Sequence, residues 1–444
     1  MTLASRRSEA NSADTTSSVE TSGLRRGWSP LVVVATVGVG AASALFANAF
    51  RDAMLWLTDV LTGDRGPVAA ARSLAGWQVF ALSFVGLLVA SALGSWARRW
   101  RADGLGLAAV AAAAQGRDTG PSLPGTAVRT GATFIAASTL SSIGRESAII
   151  EAGAAVGATV GRRLRRRGAQ FAATGITAAF VGAYHAPLAS VCYVEEHLGI
   201  RRCRRTIVHA VVGAAVGFWV TRALFDTHAL LPQAQDPWSL RLVVVAALVV
   251  VPTFVASKLF LATRERFAPA AAVERSRRYR VTAAIVFAAV SAAMVAAVPR
   301  SAGNGLEALR EAAGGATVAM AVALLAGKLI ATAAALGSGA PGGVLSPSLA
   351  VAAGAALLTL QGAAEIGVTA GVPAWDVVLV VMAVGLAVSV RSPLMAVVMV
   401  PEMTGDLRLV VPSVVVVLIA VLLGRAVDRW VAARHQVVNH QLAG

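Results

Sequence analysis

The sequence predicts an all-α polytopic membrane protein built from two inverted-topology repeats of tilted and broken helices. Three observations carry this. The 444-residue chain is 57% hydrophobic and only 14% charged, with a mean hydropathy of +0.69, whereas about 25% charge is usual for a soluble domain. Its apolar segments recur along the whole length, and many are too short to cross a bilayer, which takes about 20 apolar residues. Two sets of motifs also recur at nearly one spacing. Ala186-Pro187-Leu188 with Glu195-Glu196 matches Ser392-Pro393-Leu394 with Pro401-Glu402, 206 residues on, and Gly144 and Gly343 each lead a small-residue run, 199 residues apart.

The elements follow in chain order. Residues 1–27, rich in Ser, Thr and charge without a long apolar core, read as a disordered cytoplasmic tail rather than a cleaved leader. The membrane domain is expected over 28–434, with repeat 1 at 28–224 and repeat 2 at 238–434, leaving 435–444 as a short tail. Repeat 1 carries apolar segments at 31–61, 77–97, 127–141, 147–160, 171–181, 188–194 and 207–224. Repeat 2 carries them at 240–262, 281–298, 318–336, 344–360, 377–390, 394–400 and 409–427. Half-length segments interrupted by Gly or Pro, paired across two halves, mark helices whose ends meet inside the protein at a substrate site. Irregular backbone survives at that depth only under cover of protein or along a water-filled cavity.

The formal charge of +16 invites a nucleic-acid reading, which the placement of the arginines excludes. They cluster at 98–101, 162–167, 201–205 and 264–280, each beside an apolar segment. Arginine in short loops sets membrane orientation, so these loops are placed in the cytoplasm and the less basic stretches 225–238 and 299–315 outside. Anionic lipid headgroups suffice as partners for such a basic rim. Cys192 and Cys203 show no ligand or disulfide spacing. No metal or cofactor is expected.

Glu146 is the residue that such a segment should not tolerate. It stands in Gly144-Arg145-Glu146 ahead of an apolar run, and an ionisable group at membrane depth marks an ion or proton pathway. Helix starts present unpaired N–H groups and a partial positive charge. Four such starts stand out, at 104–107, 144–146, 337–345 and 393–394. Their convergence would coordinate a monovalent anion through backbone amides, chiefly those of Val344 and Leu345. Binding would be weak enough to permit release. A carboxylate at the same place would compete with the anion and, on protonation, yield to it. Gly153 and Gly157 read instead as close-packing positions.

Gly144-Arg145-Glu146, the run from Gly337 to Pro347 and the Pro187 and Pro393 stretches resemble the ClC family of chloride channels and proton-coupled chloride transporters. The resemblance implies a homodimer of two independent pores in the cell's inner membrane, with a cytoplasmic N-terminus. It implies that Glu146 is the external gate and that Glu196 relays protons from inside. The anion would be held at Gly104, Leu105, Gly106, Gly144, Arg145, Gly343, Val344 and Leu345. Arg129 also matches a basic family position. The chain departs from the family where Leu105 replaces an anion-binding serine and where no tyrosine stands near Ala433. Those departures favour a passive anion channel on the same fold, but Glu146 with Glu196 gives protons a route apart from the anion's, so anion/proton exchange is expected first, with fluoride export as a variant. A membrane-embedded enzyme would need a nucleophile and base, for which His185, His209 and Ser338 are poor candidates.

Overall fold

A computed structural model describes residues 29–99, 109, 111, 121–165, 168–198, 204–225, 228–268, 276–368 and 371–443, with side chains as far as 434. Apart from one isolated two-residue bridge, every regular element among them is helical. In order these are α1 (Pro30–Thr62), α2 (Pro67–Ser73), α3 (Gly76–Ala97), α4 (Leu123–Ser138), α5 (Glu146–Arg163), α6 (Gly168–Tyr184), α7 (Pro187–Leu198) and α8 (Arg204–Leu224). The second half supplies α9 (Leu240–Phe267), α10 (Arg277–Ala297), α11 (Leu306–Ala313), α12 (Val318–Val322), α13 (Lys328–Gly337), α14 (Leu345–Glu365), α15 (Ala374–Ser389), α16 (Pro393–Thr404) and α17 (Val410–Ala443). Eight helical stretches among the described residues are long and apolar enough to cross a membrane.

Local chemistry sets the helix ends. α1 begins at Pro30, whose missing N–H costs nothing in a first turn, and the Ser29 hydroxyl accepts from Val32 N at 3.4 Å. It stops at Gly63, where φ is +82°. Ser122 and Ser276 cap α4 and α10 in the same way. The apolar segment 318–336 is divided. A π-helical turn at Ala323–Gly327 joins α12 to α13. Gly354 of α14 packs against that turn so closely that a Cβ would strike the Leu325 amide. The last helix runs on to Ala443, through the segment expected to be a short tail.

Half-length helices fill the centre. α15 is buried over nearly all its length, and α6 over most of its residues. Glycine permits the tight contact between α5 and α6: a Cβ on Gly153 would collide with the Gly175 carbonyl, and one on Gly157 with that of Phe171. The packing role expected of those two glycines is what the structure shows.

Two contacts tie the halves together as equivalents. Gly144 and Gly343 form an antiparallel bridge, with Gly144 N to Gly343 O at 3.0 Å and Gly343 N to Gly144 O at 2.6 Å. The short helices then cap each other. Glu196, near the end of α7, accepts from Leu394 N and Met395 N at the start of α16 at 2.7 and 3.1 Å. Glu402 of α16 accepts from Leu188 N and Ala189 N at the start of α7, both at 2.8 Å. A carboxylate on the open amides of a helix start satisfies its orphan donors and its dipole together.

Candidate anion site

The Gly144–Gly343 bridge sets the starts of α5 and α14 side by side inside the protein. Only glycine fits here, because a Cβ on Gly144 would meet the Gly343 carbonyl. Glu146, the first residue of α5, is 2% exposed. Its side chain lies at the mouth of α14. Oε1 accepts from the Ser346 hydroxyl and from Asn304 Nδ2, both at 2.7 Å. Ser346 Oγ in turn lies 2.9 Å from the Tyr184 hydroxyl at the end of α6. Oε2 is buried without a hydrogen-bond partner.

The two carboxylate oxygens are therefore unequal. One has two donors and the other has none, at a place where an unmet buried acceptor costs about 1–3 kcal/mol. A carboxylate held this way is seated without being locked in place. Val344 caps α14 and Leu345 opens it, so their amides belong to the same mouth. The contact that reaches Glu146, however, is the Ser346 side chain.

Asn304 owes its position to a loop braced from below. Gly303 and Gly305 adopt φ of +62° and +101°, a region costly for other residues. Lys328, the first residue of α13, is fully buried. Its ammonium donates to the carbonyls of Ser301, at 3.0 Å, and of Gly303. Lys328 thus grips the loop on both approaches to Asn304.

Beside Arg145 and Asn304 lies a cavity of about 560 Å³. Its walls carry Arg51, Arg65, Arg145 and Arg310 against the acids Asp52 and Glu307. Both acids are engaged: Asp52 pairs with Arg51 at 3.1 Å, and Glu307 accepts from Val68 N and Ala69 N at 2.9 Å. The walls come from residues 228–230 and 303–310, which belong to the stretches expected on the outer face. Arg145 opens onto this cavity, its guanidinium 3.5 Å from Met54 Sδ. Arg129 lies elsewhere, paired with Glu151 at 3.1 Å, which meets the expectation that a charge this deep needs a partner.

The structure thus brings Gly144, Arg145, Glu146, Gly343, Val344 and Leu345 to one place. Glu196 is not among them; its carboxylate lies on the α16 amides. Gly104, Leu105 and Gly106 lie outside the described residues, as do Cys203 and the arginines at 201 and 202. Sequence reading missed Asn304, Ser346, Tyr184 and Lys328. Ser346 carried a signal, as a hydroxyl in the first turn of a helix already assigned to the anion. Lys328 carried another, as a lone cation in the apolar run 318–336. Asn304 and Tyr184 had none beyond their position.

A family model described as voltage gated chloride channel matches residues 84–425. The chain is 28% identical over 304 residues to the H(+)/Cl(-) exchange transporter ClcA of Vibrio parahaemolyticus, spanning 64% of this chain and 63% of that relative. It is 28% identical over 434 residues to the voltage-gated ClC-type chloride channel ClcB of Citrobacter koseri, covering 92% of this chain and 99% of the relative. Among solved structures, a slow cyanobacterial Cl-/H+ antiporter shares the fold with a TM-score of 0.72 at 17% identity, over 90% of this chain and 96% of the other. A CLC-type fluoride/proton antiporter does so with a TM-score of 0.64, also at 17% identity, over 88% and 96%. With the family model spanning most of its length, the chain belongs to the voltage gated chloride channel family.

Proposed function

We propose that this protein exchanges a chloride-like anion for protons, with Glu146 as gate and as proton acceptor on the outer side. The observation that carries the reading is the seat of the Glu146 carboxylate. It lies in the mouth of α14, on the Ser346 hydroxyl and Asn304 amide, with one oxygen unmet. An anion entering that mouth takes the carboxylate's place. Protonation removes the charge that competes with the anion and lets the side chain leave. The amides of Val344 and Leu345 hold the anion, together with the backbone at Gly343, Gly144 and Arg145 and the helix start at Gly104, Leu105 and Gly106. Protons reach Glu146 from inside by way of Glu196. We place the protein in the inner membrane as a homodimer with its N-terminus in the cytoplasm. It is a transporter rather than an enzyme.

The similarity to an exchanger and to a channel keeps passive conduction as the second reading, and one experiment separates the two. Purified protein in liposomes, given a chloride gradient, is expected to drive protons uphill as read by a pH-sensitive dye. Glu146→Gln is expected to abolish proton movement while chloride still passes. Chloride flux without proton movement in the unaltered protein establishes the channel. Movement of fluoride but not chloride changes the substrate. If chloride, nitrate and fluoride all stay put, the anion-transport reading is wrong.

A further inference from the structure

We propose that the cavity between α3 and α10 binds an anionic phospholipid of the cytoplasmic leaflet. Its phosphate sits among Arg98, Arg277 and Arg280, and an acyl chain runs along Leu88, Val281 and Ile285. Binding is independent of whether transport is coupled to protons. It takes from the placement proposed above only the leaflet that supplies the lipid.

The cavity follows from the sequence of its two walls. α3 turns Leu88, Ser91, Ala92, Ser95 and Arg98 to one side, at the three- and four-residue spacing of a helix face. α10 answers with Arg277, Arg280, Val281, Ala284 and Ile285 at the same spacing. Small side chains hold the middle of both faces, at Ser91, Ala92, Ser95 and Ala284. The two helices pack against each other, yet these small residues leave a space of about 390 Å³ between them. That is the size of a site for a small ligand.

The ends of this space differ in chemistry. α3 closes on Arg98 where α10 opens with Arg277 and Arg280, so three guanidiniums meet at one end. Arg98 donates to the Ser95 hydroxyl, itself on the cavity wall, which holds the guanidinium over the space. The other end is apolar, with Leu88 facing Ile285 and Val281 between them and the arginines. Exposed Val85 and Val89 on α3 and Val286 and Val290 on α10 continue that apolar surface. Charge at one end and hydrocarbon at the other is the order of a phospholipid. On the orientation proposed above, the cationic end faces the cytoplasmic leaflet, where anionic lipids give a negative surface potential.

Charge selects among lipids. No carboxylate stands among the described residues that line the cavity. The segments at its cationic end, 98–103 and 274–280, carry seven arginines against two acids, so a positive surplus remains even with both acids paired. Arginine meets phosphate with paired, geometrically matched donors. A zwitterionic headgroup would bring a cation of its own among the guanidiniums, and an anionic headgroup does not.

The cavity floor is Ser338 and Gly339, in the loop that leads from α13 to α14. Ser338 Oγ lies 3.0 Å from Ser91 Oγ. Gly94 of α3 is so near the loop that a Cβ there would press on the Gly339 carbonyl. A headgroup seated here braces α3, α10 and this loop together, and a ligand that binds only the folded protein stabilises it.

The test reads the melting temperature of protein stripped of lipid in detergent, as phosphatidylglycerol, phosphatidylcholine or soluble glycerol phosphate is added. Phosphatidylglycerol alone is expected to raise it. Arg277→Gln with Arg280→Gln is expected to raise the phosphatidylglycerol concentration for half the shift about 30-fold, roughly fivefold for each arginine. Arg163→Gln with Arg165→Gln removes equal charge from another basic loop and is expected to leave that concentration unchanged. Ala92→Trp fills the middle of the cavity with every arginine in place, and is expected to abolish the shift. The proposal is overturned if phosphatidylglycerol has no effect on the unaltered protein, or if phosphatidylcholine acts equally. An equal effect of glycerol phosphate makes this a site for a soluble phosphate and sinks the lipid. Equal weakening by the Arg163 and Arg165 pair reduces the effect to general attraction by the basic rim, and also sinks it. Should the Arg277 and Arg280 pair fail to fold, Ala92→Trp decides: a lost shift supports the site, and a persistent one refutes it.

Discussion

At the scale of single residues, the proposed gate is a competition for a few donors. Glu146 Oε1 takes hydrogen bonds from Asn304 and Ser346, and a hydrogen bond to a charged acceptor is worth about 1.5–3 kcal/mol. Asn304→Ala removes one of the two without touching the α14 amides. The carboxylate then holds its seat less firmly, and chloride turnover is expected to rise severalfold in flux assays. The same substitution in a Glu146→Ala background is expected to change little, because no carboxylate is left to release; an equal effect in both backgrounds would place Asn304 on the anion instead. Lys328 acts one layer further out. Lys328→Met fills the space but strips the buried Ser301 carbonyl of its donor, while that of Gly303 keeps Ile143 N at 3.1 Å. An unmet buried group costs about 1–3 kcal/mol, so a loss of thermal stability in detergent is expected. Turnover should shift in the direction of Asn304→Ala as the loop slackens.

At the scale of elements, the reciprocal caps of α7 and α16 lock two half-length helices into one unit across the repeat boundary. Glu402→Gln leaves an acceptor but removes the charge, and loss of a cap costs about 0.5–2 kcal/mol. A lower melting temperature with an unchanged proton-to-chloride ratio is the expected outcome. Gly153→Val is expected to be harsher, because its side chain would enter the Gly175 backbone; overpacking costs about 1–3 kcal/mol or more, read as reduced yield of folded protein. These elements also show what the sequence made legible. Pro187 with Glu196 and Pro393 with Glu402 disclosed the repeat, since proline and spacing are visible in one dimension. Gly144 and Gly343 announced two helix starts, though not that they bond to each other. The capping contact of Glu196 was hidden because its partners, the Leu394 and Met395 amides, lie some 200 residues away. Asn304 was hidden for the same reason. The π-turn at Ala323–Gly327 left no mark either, because it answers to the close approach of Gly354 and not to local propensity.

At the scale of the whole molecule, the distribution of charge matters more than the net value of +16. The outer cavity gathers four arginines, while its two acids are tied up by Arg51 and by the α2 amides. On the proposed reading, an anion approaching Glu146 through this cavity meets a net attraction first. A guanidinium about 8 Å away through water contributes roughly 0.5 kcal/mol, or about twofold in local anion concentration. Salt screens interactions over about 10 Å at 0.1 M. Uptake from the outer side at subsaturating chloride is therefore expected to fall when an impermeant salt raises the ionic strength. Arg51→Gln with Arg65→Gln is expected to lower that uptake roughly fourfold at low salt and to flatten its salt dependence. Neither residue touches Glu146, so the proton-to-chloride ratio should not move. Efflux from the inner side should keep its own salt dependence, since it does not pass these residues first. A salt slope that the double substitution leaves unaltered would mean that the cavity does not lie on the anion's route, and that anions reach α14 by another face of the fold.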